Sequence, residues 1–592
     1  MSDLHLPSRD AGFLVRHVLD VDQICMDAGL EDVNAELVLA ILEESGRFGT
    51  EVLAPLNAVG DRLGTKLEDD GVHETPGFAE AYRQYTENGW AALTGDEKYG
   101  GQAMPKLVGA GVVEIWHTSC VAFSLGTTLT TGVIEALEAH GSDDQKSIYL
   151  PELVSGNWMG TMCLTEPAAG SDLNAVSCKA VPQDDHFLIT GQKIFITWGD
   201  HQMAENIIHL VLARLPDAPA GVKGISLFLV PKFLLDENGR PGPRNDVYCV
   251  GIEHKLGIHG SPTCTLNFGD NGGAVGYLVG QPNHGLMAMF TMMNEARQGV
   301  AIQGLGISQR SYQQALAYAM ERLQGTRKDG SRFPIIKFPD VRRMLMVMKS
   351  ATEAMRGLIY IAAAEGDRIH SAKTPEEARR HAARTGVYTP IVKGWITELS
   401  QEVTYLGTQI HGGMGYIEET GSAQHYRDVR IMAIYEGTTG IQGLDLAGRK
   451  TLGDKGAALG DLLDEIQGTA KDMSGVNRLC NMADSLIAAV VLGRKAVAWL
   501  LEHAPHDRDA AGGASVNFMM LMGYLCGGWV MGKSALKASQ LLESSGDDEA
   551  FLRAKQVTAQ FYFDHLLPRT ASYYATVSAG NDSMMALAED QF

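Results

Sequence analysis

From Ala11 to about Gly156 the apolar residues recur at helical spacing, in runs such as Leu37-Val38-Leu39-Ala40-Ile41-Leu42 and Val108-Gly109-Ala110-Gly111-Val112-Val113, with a turn at Tyr99-Gly100-Gly101. This pattern predicts an N-terminal helical domain over residues 1–156. The texture then changes. His186 to Thr190, Lys193 to Thr197, Ile207 to Leu212, Ile225 to Val230 and Thr263 to Phe268 are short, β-branched and separated by Gly, Pro and Asp turns. No long helical pattern interrupts them, so residues 157–282 predict an antiparallel barrel or sandwich rather than a βαβ sheet. The helical period returns over 283–452. There Thr374-Pro375-Glu376-Glu377 predicts a helix start, with Thr374 as N-cap, Pro375 in the first turn and Glu377 closing a capping box. Beyond Gly453 the stretches Leu486 to Leu501, Val516 to Leu542 and Phe551 to Tyr573 predict an appended helical domain, 453–592, with a break near Pro505 to Gly513. The plan is mainly α with a central β domain, followed by an α extension.

Composition narrows the class further. The 592 residues are 45% hydrophobic, and 49 basic against 71 acidic side chains give a net charge of -22, which disfavours a nucleic-acid partner. The eight cysteines form no Cys-x-x-Cys pair, so neither a metal cage nor a disulfide framework is expected. Met1-Ser2-Asp3-Leu4-His5 lacks the basic and apolar regions of a secretory signal, and a cytoplasmic protein is expected. Ala510 to Gly532 is uncharged and about long enough to span a bilayer of ~20 residues. Its glycines, Asn517 and the lack of flanking anchors predict a buried or interface helix instead, and no membrane association.

The absent motifs are informative. There is no Gly-x-Gly-x-x-Gly opening a helix after a strand and no His-Glu-x-x-His. Gly304-Leu305-Gly306 lies inside a helical pattern and predicts close helix packing. Four segments carry candidate chemistry. Met162-Cys163-Leu164-Thr165-Glu166-Pro167-Ala168-Ala169-Gly170-Ser171-Asp172 suits either a tight inter-strand loop or a turn whose hydroxyls and N–H groups hold a polar heteroaromatic ring and a pyrophosphate. Lys193-Ile194-Phe195-Ile196-Thr197 is a strand whose alternation places Phe195 and Thr197 on one face, as ligand contacts or as half-buried packing. Gln409-Ile410-His411-Gly412-Gly413 ends a helix and permits close backbone approach. In Tyr435-Glu436-Gly437-Thr438 a lone carboxylate follows an apolar run, either as a desolvated base or as a partner for the next helix N-terminus.

In this order the four segments resemble the acyl-CoA dehydrogenase family of flavoproteins, over about Gly95 to Arg449. Tyr99-Gly100-Gly101 and Lys255-Leu256-Gly257-Ile258-His259-Gly260-Ser261 add to the likeness. The resemblance implies a helical, β-barrel, helical fold that binds FAD. Met162, Cys163, Leu164, Thr165, Phe195, Ile196 and Thr197 would surround the isoalloxazine, with Thr197 toward N5 and Ser171 near the pyrophosphate. Arg322, Gln409, Gly412 and Gly413 are similar to positions reaching the adenosine diphosphate of FAD in a partner subunit, and Thr438 is similar to the residue after the base that also touches FAD. Ser171, Arg297 and Gly437 are implied at the substrate. Three positions depart from the family pattern: Phe195 stands for the commoner Trp, Phe338-Pro339 for a His-Gln pair, and Asn294 for an acidic neighbour of Arg297.

The implied reaction passes the pro-α proton of an acyl-CoA to Glu436 and its β-hydride to the flavin, giving a trans-2-enoyl-CoA. Some members carry the base on the helix before Arg297. Here that position is Ala296, with Glu295 turned about 100° away on a helix. Length and the appended domain resemble a longer bacterial subgroup that includes an enzyme acting on 3-methylmercaptopropionyl-CoA beside neighbours similar to straight-chain enzymes, so that 3-methylmercaptopropionyl-CoA is the implied substrate, with medium- or long-chain acyl-CoA as the alternative. A homodimer and an electron-transfer flavoprotein as acceptor are implied. An acyl-CoA oxidase, or a non-catalytic flavin-bearing scaffold, are the rival readings.

Overall fold

The computed structural model describes residues 8–544 and 548–592; the Met1–His5 segment lies outside the described residues. Two compact units divide the chain. One comprises Arg47–Pro105 and Ser119–Gly299, the other the described parts of Met1–Gly46, Lys106–Thr118 and Val300–Phe592.

The first unit is built on eight strands, β1 Trp158–Cys163, β2 Lys179–Pro182, β3 Phe187–Thr197, β4 Asn206–Arg214, β5 Ile225–Pro231, β6 Val247–Ile252, β7 Thr263–Phe268 and β8 Ala274–Val279. Their order is β6-β7-β3-β8-β5-β4-β1, with β2 pairing both β3 and β4. The expected antiparallel barrel is corrected on two points. The sheet is mixed, because β1 runs parallel to β4 from Trp158 opposite Asn206 to Cys163 opposite Val211, and among the described residues β6 and β1 end the order without pairing. A parallel neighbour needs a crossover of a dozen or more residues, which residues 164–205 supply through β2 and β3.

Strands β4 and β5 are buried almost throughout, and their alternate side chains feed two cores. Ile208, Leu210, Leu212, Leu227 and Leu229 join Leu129, Val133 and Leu137 from the helix α1 Lys106–His140. Val211, Ala213, Phe228 and Val230 join Cys163, Ile196 and Cys264 in the second core. Burying each such large apolar side chain is worth about 1.5–3 kcal/mol, so slipping either strand by one residue is excluded.

The second unit is helical. Its long elements are α2 Gly285–Glu321 from Val300 onward, α3 Pro339–Ser371, α4 Pro375–His411, the short α5 Thr439–Leu444, and then α6 Ala457–Ser474, α7 Cys480–His503, α8 Ala510–Ser544, α9 Glu549–His565 and α10 Arg569–Ser578. Thr374 caps α4 through its hydroxyl, which accepts from Glu377 N at 3.2 Å, while the Glu377 carboxylate accepts from Lys373 N and not from the cap itself. The stretch Phe551 to Tyr573, expected as one helix, is two, because the chain breaks at Leu566 to Pro568, where proline offers no N–H to continue the ladder. Gly304 and Gly306 pack closely, as expected: an added Cβ would lie 2.8 Å from Ser400 Oγ and 2.8 Å from the His117 backbone. A buried network of Glu114, Arg356, Tyr360 and Gln309 ties α1, α2 and α3 together.

Helices α1 and α8 are each long and apolar enough to cross a membrane, yet 83% and 89% of those apolar windows are buried within the protein. The glycines of α8 explain its composition. A Cβ on Gly523 would sit 2.2 Å from Trp395 Cγ, and one on Gly527 2.2 Å from Tyr562 Oη, so glycine lets α8 cross α4 and α9 at close range.

Candidate functional site

In the first unit the candidate segment after β1 is a tight turn. Glu166 N donates to Ala169 O and Ala169 N to Glu166 O, both at 3.0 Å. The Glu166 carboxylate is sealed inside it, accepting from Ser177 N at 2.7 Å, Ser177 Oγ at 2.6 Å, Cys178 N at 3.1 Å and Lys193 Nζ at 2.8 Å. Lys193 Nζ also donates to Leu164 O at 2.9 Å, and Ile194 N to Thr165 O at 2.9 Å. One strand of the sheet therefore clamps the turn on both sides, bringing Met162 to Thr165 beside Phe195 to Thr197. Burial alone would raise the Glu166 carboxyl, but the Lys193 charge and these donors hold it down, to about 2.

Strict alternation along β3 would put Lys193, Phe195 and Thr197 on one face. A β-bulge intervenes: Ile196 lies opposite Cys264 and Lys193 opposite Leu266, leaving Ile194 and Phe195 against one residue. The bulge turns Lys193 inward, fully buried, while Phe195 takes φ +60° and leaves its ring 58% exposed. Beyond the bulge Phe195 is exposed, Ile196 buried and Thr197 half-buried. Among the described residues the hydroxyls of Thr165, Ser171 and Thr197 bond no protein group. Cys163 and Ile196 point into the core, so only their backbone can meet a ligand; burial pushes the Cys163 thiol up to about 12. Met162 and Leu164 face the other core. Ser171 is exposed on its loop, and Arg297 is 2% exposed on α2.

In the second unit Glu436 and Gly437 both carry positive φ, +56° and +92°. Thr438 then caps α5, its hydroxyl accepting from Ile441 N at 3.3 Å. Thus Thr438, not Glu436, fills the capping role. Tyr435 Oη donates to Gln303 Oε1; burial and then the Glu436 charge push that phenol far up. Gln442 Nε2 donates to the carbonyls of both Glu436 and Gly437 at 3.2 Å, and Lys393 Nζ to Gly437 O at 2.6 Å. Arg322, Gln409, Gly412 and Gly413 are exposed where α2 and α4 end, joined by the stacked rings of Tyr318 and His411 with centroids 4.6 Å apart.

The Glu166–Lys193 pair, Lys393 and Gln442 escaped the sequence reading. The legible signal was a lone cation inside an apolar run, as in Tyr388-Thr389-Pro390-Ile391-Val392-Lys393-Gly394-Trp395-Ile396. All eight cysteines are free thiols. Glu68, Asp70 and His73 cluster on an exposed hairpin, where His73 Nε2 lies 2.8 Å from Asp70 Oδ1.

Residues 40–157 match the acyl-CoA dehydrogenase N-terminal domain, 161–271 the middle domain and 283–450 the C-terminal domain of that family. Residues 462–588 match an acetyl-CoA dehydrogenase C-terminal-like domain. The chain is 45% identical to a 3-methylmercaptopropionyl-CoA dehydrogenase of Ruegeria pomeroyi over 98% of both chains. It is 33% identical to a broad-specificity linear acyl-CoA dehydrogenase, FadE5, of Mycobacterium tuberculosis over the full length of both. In fold it is similar to an acyl-CoA dehydrogenase of Bacillus anthracis solved with FAD, at TM-score 0.74 and 22% identity, covering 93% of this chain and 89% of that one. With this end-to-end likeness, the chain belongs to the acyl-CoA dehydrogenase family of FAD-dependent oxidoreductases acting on CH–CH bonds.

Proposed function

We propose that this enzyme oxidises 3-methylmercaptopropionyl-CoA to 3-methylthioacryloyl-CoA, a step in dimethylsulfoniopropionate degradation. The observation that carries the substrate is the 45% identity, over 98% of both chains, to the relative named for it. When bound, FAD supplies the hydride acceptor. Glu436 takes the pro-α proton on its carboxylate, its backbone N–H helps bind the thioester oxygen, and the developing enolate charge is what such a donor stabilises. Arg297, Ser171 and Gly437 bind the substrate.

The cofactor placement is supported by chemistry within one unit. An aromatic ring is held out of the sheet at Phe195 against its backbone preference, and three hydroxyls at Thr165, Ser171 and Thr197 bond no protein partner among the described residues; both suit a flavin. Arg322, Gln409, Gly412, Gly413 and Thr438 extend the set, the first four toward the FAD of a second subunit. Exposed apolar groups beside them, including Met414 and the 87% exposed Tyr416, favour a homodimer. An electron-transfer flavoprotein acts as acceptor, the enzyme works in the cytoplasm, and the four-part division at 156, 282 and 452 describes its domains.

A second substrate reading, straight-chain acyl-CoA, is favoured by the 33% identical linear-chain relative. A dye-coupled assay of 3-methylmercaptopropionyl-CoA against a straight-chain series decides between them, and peroxide formation at the dye-reduction rate would mark an oxidase. Glu436→Gln should stay yellow and folded with turnover reduced by orders of magnitude; full activity would place the base elsewhere.

A further inference from the structure

Glu436 is held in a backbone conformation that an L-residue adopts at a cost of about 1–2 kcal/mol, and something must impose it. Two fully buried side chains converge on the carbonyls that follow. Gln442 Nε2 donates to Glu436 O and Gly437 O, and Lys393 Nζ to Gly437 O at 2.6 Å. Gln442 reaches back from α5, while Lys393 comes from mid-α4, so the loop is gripped from two elements. The grip carries its own penalty: Gln442 Oε1 is buried with no hydrogen-bond partner among the described residues, worth about 1–3 kcal/mol.

The wall behind the grip belongs to the appended domain. A Cβ on Gly394, next to Lys393, would lie 2.2 Å from Met519 Sδ and 3.4 Å from Gln442 Cβ. One on Gly443, next to Gln442, would lie 2.9 Å from the Ser515 backbone. Met519 and Ser515 both sit on α8, at 0% and 2% exposure. Water is therefore excluded from the donors, which strengthens each bond.

We propose that Lys393 and Gln442 are positioning residues that hold the Glu436 loop, with α8 of the C-terminal extension as the dry wall that seats them. The proposal rests on Glu436 being the base. It gives the extension a direct part in the dehydrogenase site, through α4 and α5.

Lys393→Met and Gln442→Met remove the donors while keeping shape, and Glu436→Gln is measured beside them on purified holoenzyme. Flavin content, kcat, KM and amide hydrogen exchange across residues 434–440 are the readouts. In both positioning variants flavin content and KM should stay near the parent's, kcat should fall on the order of 100-fold, as for a misplaced catalytic group, and exchange in that segment should accelerate. Parental kcat, or a kcat loss without faster exchange, overturns the proposal. Full activity in Glu436→Gln would instead overturn the base assignment, whatever the other two variants do. Should Lys393→Met fail to fold, Gln442→Met, which strands no charge, decides alone.

Discussion

Lys193 Nζ lies 2.8 Å from Glu166 Oε1, with the two side chains 0% and 2% exposed. The pair joins the turn after β1 to the middle of β3, and so sets Thr165 beside Phe195. Removing one partner leaves a buried charge without its counter-ion, which typically costs 3–5 kcal/mol (about that range). Lys193→Met should therefore lower thermal stability sharply and release flavin, as followed by unfolding scans and by flavin absorbance in the protein fraction. A variant as stable and as yellow as the parent would show that the clamp is dispensable.

Phe195 sits at the bulge with φ +60° and an exposed ring. Glycine there should relieve about 1–2 kcal/mol of backbone strain and lose little buried surface. Phe195→Gly should raise the melting temperature of flavin-free protein while weakening flavin retention. Loss of stability in the flavin-free form would mean that the ring packs more than its exposure indicates.

At Gly523 the crossing of α8 over α4 leaves no room for a methyl group, since Cβ would fall 2.2 Å from the buried Trp395 Cγ. Gly523→Ala should cost about 1–3 kcal/mol through overpacking, seen as a lower melting temperature. Gly512→Ala, where nothing lies within 4 Å, should be neutral or slightly stabilising. Equal behaviour of the two would refute the packing account of this glycine-rich helix.

Burial lowers His117, His201, His209 and His425 from 6.5 to about 3. Their unfolded forms bind protons that the folded form refuses, so this stability is complete above pH 6.5 and is lost as pH falls from 6.5 toward 3. Glu166 adds to the loss over a lower window, from about 4.5 down to about 2. Asp367 acts in the opposite sense: burial raises it to about 6, so the penalty it carries at neutral pH is relieved below that value. Four histidines outweigh one carboxyl, and chemical denaturation at pH 7, 5.5 and 4.5 should show a falling unfolding free energy. A flat profile would mean that these imidazoles are protonated in the fold.

The helical and β segments were legible because burying one face leaves a periodic trace in composition, at 3.6 residues for a helix and two for a strand. The candidate turn, Glu436 and the close-packed Gly304-Leu305-Gly306 were legible for a related reason: each is a local departure from such a trace. The bulge at Ile194 and Phe195 was not, because it exists only where β3 and β7 are set side by side.

What the sequence alone determined was therefore the order of helical and β segments, the family, the uncharged helix and the lone carboxylate at 436. Tertiary structure alone decided the parallel pairing of β1 with β4, the inward turn of Lys193, and the meeting of Lys393 and Gln442 on one loop. The physical reason is range. Periodicity and capping act between residues a few positions apart, whereas sheet order and buried ion pairs join residues 27 apart, as in Glu166 and Lys193, or 44 apart, as in Lys393 and Gly437.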